Sequence, residues 1–411
     1  MAAPTQALRR TRLAVAAGFF LQCLVFAAIV TQVPTLKDKI GLSDGDITIL
    51  LVLVAVVSGV GSVFAGMIAE RRTSSVALRT ALMTIALGAL LVGLAPNRPL
   101  LIGAFVLYGL GIGGVDASMN MQGVRVQAAY GRSVMANFHG VWSVAGIAGA
   151  LYASGVTKLD IPLSVSLAVI AAFTLVIALL ASRFFIEARE IEVGLSGEDL
   201  GVPWRPILLF GLVILVFYAA DTGVLTWSSV YLHDALDATK SVAPFAFAAY
   251  ETGAIVSRFG GDFLVRRHGA AFVVRLGATI GVAGLVGVVA APAPPLAIAG
   301  FFVTGLGLAI LAPLSFGATA VAVGPAAVDV AIARLKSPTT WARFLAVHSS
   351  ARQHPRITCA GHSSYRWRLF PWCWSSQRSS GRPTSSSPPR NRLNGEGCPR
   401  SPLGSAPGGF A

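Results

Sequence analysis

The stretch Gly109–Ala150, GLGIGGVDASMNMQGVRVQAAYGRSVMANFHGVWSVAGIAGA, decides how the chain is read. Its first part is an apolar, glycine-rich run with one carboxylate, Asp116, deep inside it. A short basic segment with Arg125 and Arg132 follows, and a second apolar run opens with Asn137, His139 and Trp142. A carboxylate at the centre of a membrane helix costs ~2.5–3.5 kcal/mol on insertion scales. Such groups face a bundle interior or a wet cavity, and they mark solute or proton paths. The stretch therefore predicts two membrane helices lining a polar passage, as in a secondary transporter.

Working outward, the rest of the chain has the same character. Of its 411 residues, 55% are hydrophobic and 12% charged, against roughly 25% charged in soluble domains. Apolar runs long enough to cross a bilayer core of ~30 Å lie near 13–33, 47–69, 76–95, 99–123, 137–157, 162–183, 207–232, 244–265, 271–291 and 296–322. The fold class is an all-α membrane protein. The first run is read as an uncleaved span, because it exceeds a signal-peptide core and further spans follow. Arginines concentrate in alternate connections (Arg9, Arg10 and Arg12; Arg71, Arg72 and Arg79; Arg125 and Arg132; Arg266, Arg267 and Arg275). By the positive-inside bias the N-terminus is cytoplasmic, in a bacterial inner membrane.

The formal charge of +14 does not imply a nucleic-acid partner. Eleven of the 32 basic residues, and Glu396 alone among the acids, fall in 336–411. The four cysteines form no CxxC pair, and Cys359 with His362, His348 and His354 fits no standard metal spacing. No metal site and no cofactor are expected, and the absence of a GxxxxGK[ST] loop argues against an ATP-driven pump.

An internal repeat emerges on shifting the chain by 196 residues. Arg71 then falls on Arg267, Arg79 on Arg275, Gly88 on Gly284, Pro96 on Pro292 and Pro99 on Pro295. Phe105 meets Phe301, Gly109 meets Gly305 and Gly111 meets Gly307, with no gap. The chain thus divides into a six-helix bundle at 1–183, an acidic cytoplasmic linker at 184–206 and a four-helix bundle at 207–335. The repeat projects the fifth and sixth helices onto 333–353 and 358–379, where Arg343, Arg366 and Arg368 oppose membrane crossing. Ten spans are therefore read where twelve are expected. Residues 336–411 read as a disordered basic tail, either genuine or translated out of frame.

Duplicated bundles, a cytoplasmic linker and basic inner connections together resemble the major facilitator superfamily. GMIAERRTSS (66–75) resembles its loop motif between helices 2 and 3, and SRFGGDFLVRRHG (257–269) the second-half copy. The resemblance implies an inner gate of charged pairs at Glu70, Arg71, Arg72, Arg258, Asp262, Arg266 and Arg267. VPTLKDKIGLSDGDI, VDASMNMQGV, NFHGVWSVAG and WSSVYLHD resemble a bacterial subgroup near the fucose permeases. That likeness implies a proton-coupling role for an acid of the fourth helix, carried here only by Asp116.

Several polar side chains stand out inside apolar runs. Asp116 and Asn120 share a helical face and read as a protonatable carboxylate with an amide partner, or as a packing contact. Trp142 offers a ring over which a sugar can stack. His139 on the same face is either a site residue or an interfacial one, and Asn137 reads as a helix cap. Asp221 and Glu251 break the internal symmetry, falling on Val25 and Ala55 of the first half. Glu251 and Arg258 share a face but stand too far apart for a direct pair. Gln22 and Trp227 complete the candidate pathway, and the glycines at 109, 111, 113 and 114 read as close-packing positions. The expected activity is proton-coupled transport of a small, sugar-like polar solute across the bilayer by alternating access. Efflux of drugs or metabolites, and a truncated inactive membrane protein, are the rival readings.

Overall fold

The computed structural model describes residues 5–131, 134–187, 204–311 and 313–315. Among them the chain forms only helices: α1 (Gln6–Val30), α2 (Val33–Ile40), α3 (Asp44–Arg71), α4 (Ser74–Leu94), α5 (Arg98–Tyr130), α6 (Met135–Lys158), α7 (Leu163–Ser182), α8 (Trp204–Leu236), α9 (Phe245–His268), α10 (Ala270–Val289) and α11 (Pro294–Leu308). Nine of the described helices are long and apolar enough to cross a membrane. At 24 residues α9 has the length too, but its sequence carries Glu251, Arg258, Asp262, Arg266 and Arg267. These ten helices correspond to the ten apolar runs. The projected helices at 333–353 and 358–379, the tail and most of the linker lie outside the described residues.

Local chemistry sets the helix ends. Ser43 caps α3 in a reciprocal box with Asp46, Thr73 caps α4 through Val76 N, and Asn97 caps α5 through Leu100 N. The break between the first two apolar runs holds a short helix, α2. Pro34 suits the first turn of that helix, and Gly41 ends it in the left-handed region at φ 69°. Helix α5 runs on to Tyr130, so Arg125 lies on the helix rather than in a loop.

The sequence repeat is a repeat of contacts. Helices α4 and α10 begin 196 residues apart, as do α5 and α11. A Cβ on Gly88 would lie 2.7 Å from Tyr108 Cα, and one on Gly284 would lie 2.4 Å from Thr304 N. Gly111 meets Ile85 N at 2.6 Å, and Gly307 meets Gly281 N at 2.1 Å. Each partner pair obeys the same shift of 196 residues. Hydrocarbon does not drive apolar helices together, so small residues that let backbones touch carry the packing. The outward faces are apolar, as with Val56 and Val63 on α3 and Val176 on α7.

The halves are joined at the end that the sequence places outside. Lys37 in α2 pairs with Asp44 at 2.6 Å and, across the halves, with Asp234. Lys240 pairs with Asp38, and Ser154 Oγ donates to Ser241 O at 2.6 Å. The hydrogen bonds to Asp234 and Asp44 raise the Lys37 pKa above its ordinary 10.5. A raised lysine pKa means stabilisation fully present below 10.5 and lost as the pH climbs through the higher folded value. Both lysine side chains are partly exposed, which limits each pair to ~1 kcal/mol. Lys37→Ala is therefore expected to raise labelling of a cysteine at Ser154, by an impermeant thiol reagent, about fivefold. Labelling of the parent should rise from neutral pH to the ordinary lysine value only as far as its thiolate fraction does.

Candidate solute and coupling site

A cavity of about 340 Å³ opens where α1, α3 and α5 of the first half face α8 of the second. Asp116 lines it, with Ser58 and Ser62 of α3, Tyr108 of α5 and Thr222 and Thr226 of α8. Gln22 and Phe26 form its α1 wall. Asp116, the carboxylate deep in the apolar run, is exposed in this cavity. Asn120 is not the amide partner of that carboxylate. Its Nδ2 donates to the Asp116 backbone carbonyl at 2.8 Å, because one helical turn brings a side chain to that oxygen.

Gln22 is 6% exposed and bonded at both ends. Its Nε2 donates to Ile112 O at 3.4 Å, and its Oε1 accepts from Trp142 Nε1 at 2.7 Å. Two candidates that lie 120 residues apart are thus one unit joining α1 and α6. Phe26 stacks on the Trp142 ring, with centroids 6.5 Å apart. The edge of His139 meets Phe19 at 5.4 Å, and His139 itself is exposed. Asn137 is not a cap, since α6 starts at Met135 after Val134. It lines a second cavity of about 560 Å³ with Arg9, Arg12 and Tyr130, at the end read as cytoplasmic. Trp227 is half-buried and packs on the first-half core.

Beside the first cavity, at the junction of α6, α8 and α9, the polar groups form a network. Tyr250 Oη donates to Asp221 Oδ1 at 2.5 Å. Glu251 is 1% exposed, and its Oε2 has no hydrogen-bond partner among the described residues. Arg258 Nη1 donates to Ser143 Oγ of α6 across the halves, and Glu251 lies beside Gly146 of that same helix, where an added Cβ would fall 3.5 Å from Glu251 Cγ. The fully buried Ser143 therefore ties Arg258 of α9 to α6. It also separates Arg258 from the expected inner gate. Arg266 and Arg267 lie exposed at the end of α9, and Glu70, Arg71 and Arg72 lie exposed around the end of α3. Two turns separate Arg258 from Arg266 and place it inside the bundle. The Asp262 side chain lies outside the described ones.

Sequence reasoning passed over Ser143, Tyr250 and Gln122. Gln122 is fully buried: its Nε2 donates to Ser74 Oγ and Ile186 O, and its Oε1 accepts from Ile186 N at 2.9 Å. It fastens α5 to the start of α4 and the end of the first half. Its place in VDASMNMQGV was the available signal.

The family model described as the Major Facilitator Superfamily matches residues 15–345. A Sinorhizobium fredii protein described as an uncharacterized transporter, y4wD, is 32% identical over 333 residues, covering 77% of this chain and 85% of its own. A Rhizobium meliloti protein described as membrane protein MosC is 26% identical over 311 residues, 75% of each chain. A bacterial homolog of the human lysosomal transporter Spinster, inward-facing and occupied, shares the fold at TM-score 0.62 and 14% identity, over 79% of this chain and 76% of its own. The nucleoside transporter NupG does so at TM-score 0.62 and 12% identity, over 79% and 86%. With duplicated helical halves meeting at a polar cavity, the chain belongs to the Major Facilitator Superfamily of membrane transporters.

Proposed function

We propose that this chain is a secondary active transporter of a small, sugar-like polar solute, coupled to protons and working by alternating access. The observation that carries the reading is a solute-sized cavity beside buried ionisable groups that link the two halves. Asp116 faces the cavity, Arg258 donates to Ser143 of the opposite half, and Glu251 is buried on the same helix as Arg258. Buried charge in a membrane protein is costly and marks a substrate or proton path. Because Ser143 and Arg258 belong to different halves, their hydrogen bond is a contact that rocking must break. With the N-terminus cytoplasmic in a bacterial inner membrane, the ion pairs of Lys37 and Lys240 close the outer side. The exposed arginines at the ends of α3 and α9 then lie at the inner gate.

Uptake in proteoliposomes tests the reading, with an imposed pH gradient and a panel of neutral sugars. Accumulation that follows the gradient is expected, along with counterflow in its absence. Asp116→Asn should abolish gradient-driven accumulation while leaving membrane insertion intact. Gradient-driven accumulation by Asp116→Asn equal to that of the parent would remove Asp116 from the coupling. Failure of every solute to accumulate or exchange would contradict transport itself.

A further inference from the structure

We infer that the cavity of about 560 Å³ where the ends of α1, α5 and α6 meet holds the headgroup phosphate of an anionic phospholipid. Three helix ends at one edge of the bundle build it. Arg9 and Arg12 belong to the first turns of α1, Tyr130 is the last residue of α5, and Asn137 lies in the first turn of α6. Gln127 fixes the corner between α5 and α6: its Oε1 accepts from Val134 N at 3.1 Å and from Met135 N at 3.3 Å. Those amides are thereby spent, so the two guanidiniums, rather than the start of α6, supply the positive charge. That charge is one-sided already in the sequence. Residues 1–37 and 117–159 include every described residue that lines the cavity, and they contain no aspartate or glutamate. Neither Arg9 nor Arg12 forms an ion pair with a described acid. Arg12 lies over the Tyr130 ring, 5.6 Å from its centroid, a contact that orients a guanidinium and leaves its charge in place. A guanidinium presents a fork of donors that matches phosphate oxygens.

The lining changes character along the helices. On α1 it runs Arg9, Arg12, Leu13, Ala16, a spacing that keeps one face over a rise of ~10 Å. On α6 it runs from Asn137 to Phe138 and Val141. Cationic and amide groups thus stand toward the helix ends, and hydrocarbon follows further into the bundle. Leu13, one residue from Arg12, is 70% exposed. A free phosphate would use the polar end alone. A phospholipid uses both, with its phosphate on the guanidiniums and an acyl chain against Leu13, Ala16 and Val141. Basic pockets between membrane helices on the cytoplasmic side take such headgroups.

The test is native mass spectrometry of the full chain in detergent, titrated with dioleoylphosphatidylglycerol, dioleoylphosphatidylcholine or inorganic phosphate. With two guanidiniums in the site, phosphatidylglycerol should bind about thirtyfold more tightly than phosphatidylcholine. Inorganic phosphate should displace neither lipid. Arg9→Gln combined with Arg12→Gln should abolish the preference. Arg183→Gln combined with Arg275→Gln removes the same charge from exposed positions outside the cavity and should leave the preference intact. The unsubstituted chain decides the class by itself, whether or not the variants fold: equal affinity for the two lipids would overturn the proposal. Displacement of phosphatidylglycerol by inorganic phosphate would overturn it too, by placing a soluble anion in the cavity. A preference that survives loss of Arg9 and Arg12, or falls equally with loss of Arg183 and Arg275, would show attraction to net charge and contradict the site.

Discussion

Glu251→Gln is expected to reduce gradient-driven uptake about a hundredfold while counterflow persists. The Glu251 side chain is 1% exposed, and Arg258, seven residues further along α9, is bonded to Ser143. Removing one partner of a buried charged pair costs ~3–5 kcal/mol, which corresponds to roughly a hundredfold or more. The glutamine keeps the shape, so the loss reports charge rather than packing. A second substitution, Arg258→Gln, should recover part of the loss by removing the stranded cation, as a double-mutant cycle would register. Uptake by Glu251→Gln that still follows the pH gradient at the parent rate would take the pair out of the coupling path.

The second large effect concerns folding. Gly113→Leu and Gly253→Leu are each expected to eliminate monodisperse protein after extraction. A Cβ at Gly113 would lie 1.8 Å from Ser58 O, and one at Gly253 would lie 2.1 Å from Phe302 O. Both obstacles are backbone, so no rotamer change relieves them, and the helices must separate. The cost then exceeds the ~1–3 kcal/mol of ordinary overpacking. Gly103→Leu and Gly260→Leu provide controls on the same two helices, because nothing lies within 4 Å of a Cβ at either place. Size-exclusion profiles and thermal midpoints separate the two pairs. Similar behaviour of all four variants would show that these crossings do not hold each half together.

Much of this fold was legible in the chain because the membrane imposes few alternatives. Ten apolar runs gave ten long helices, since every backbone polar group in hydrocarbon must be satisfied within its own segment. The shift by 196 residues holds for contacts as well as residues, since Gly88 packs on Tyr108 as Gly284 packs on Thr304. Helix α2 was missed because eight residues leave too short a signal beside Pro34. The site was legible only in part. Asp116 and Gln22 announce themselves as polar groups in apolar helices. Ser143 and Tyr250 do not, because serine and tyrosine are ordinary there and their partners stand 115 and 29 residues away. For the same reason Arg258 was grouped by its motif with Arg266 and Arg267, whereas the fold brings it to Ser143.

The central claim is that a water-reached hollow, rather than lipid, surrounds these ionisable side chains. It is tested most directly by single cysteines in a background whose four native cysteines are serine. One is placed at Asp116, and another at Phe173, which lies 44% exposed on the outward surface of α7. In inverted membrane vesicles, a charged thiol reagent should modify the cysteine at 116 readily and leave the one at 173 unmodified. Equal resistance at both positions, with full modification after detergent is added, would place Asp116 against acyl chains and contradict the account.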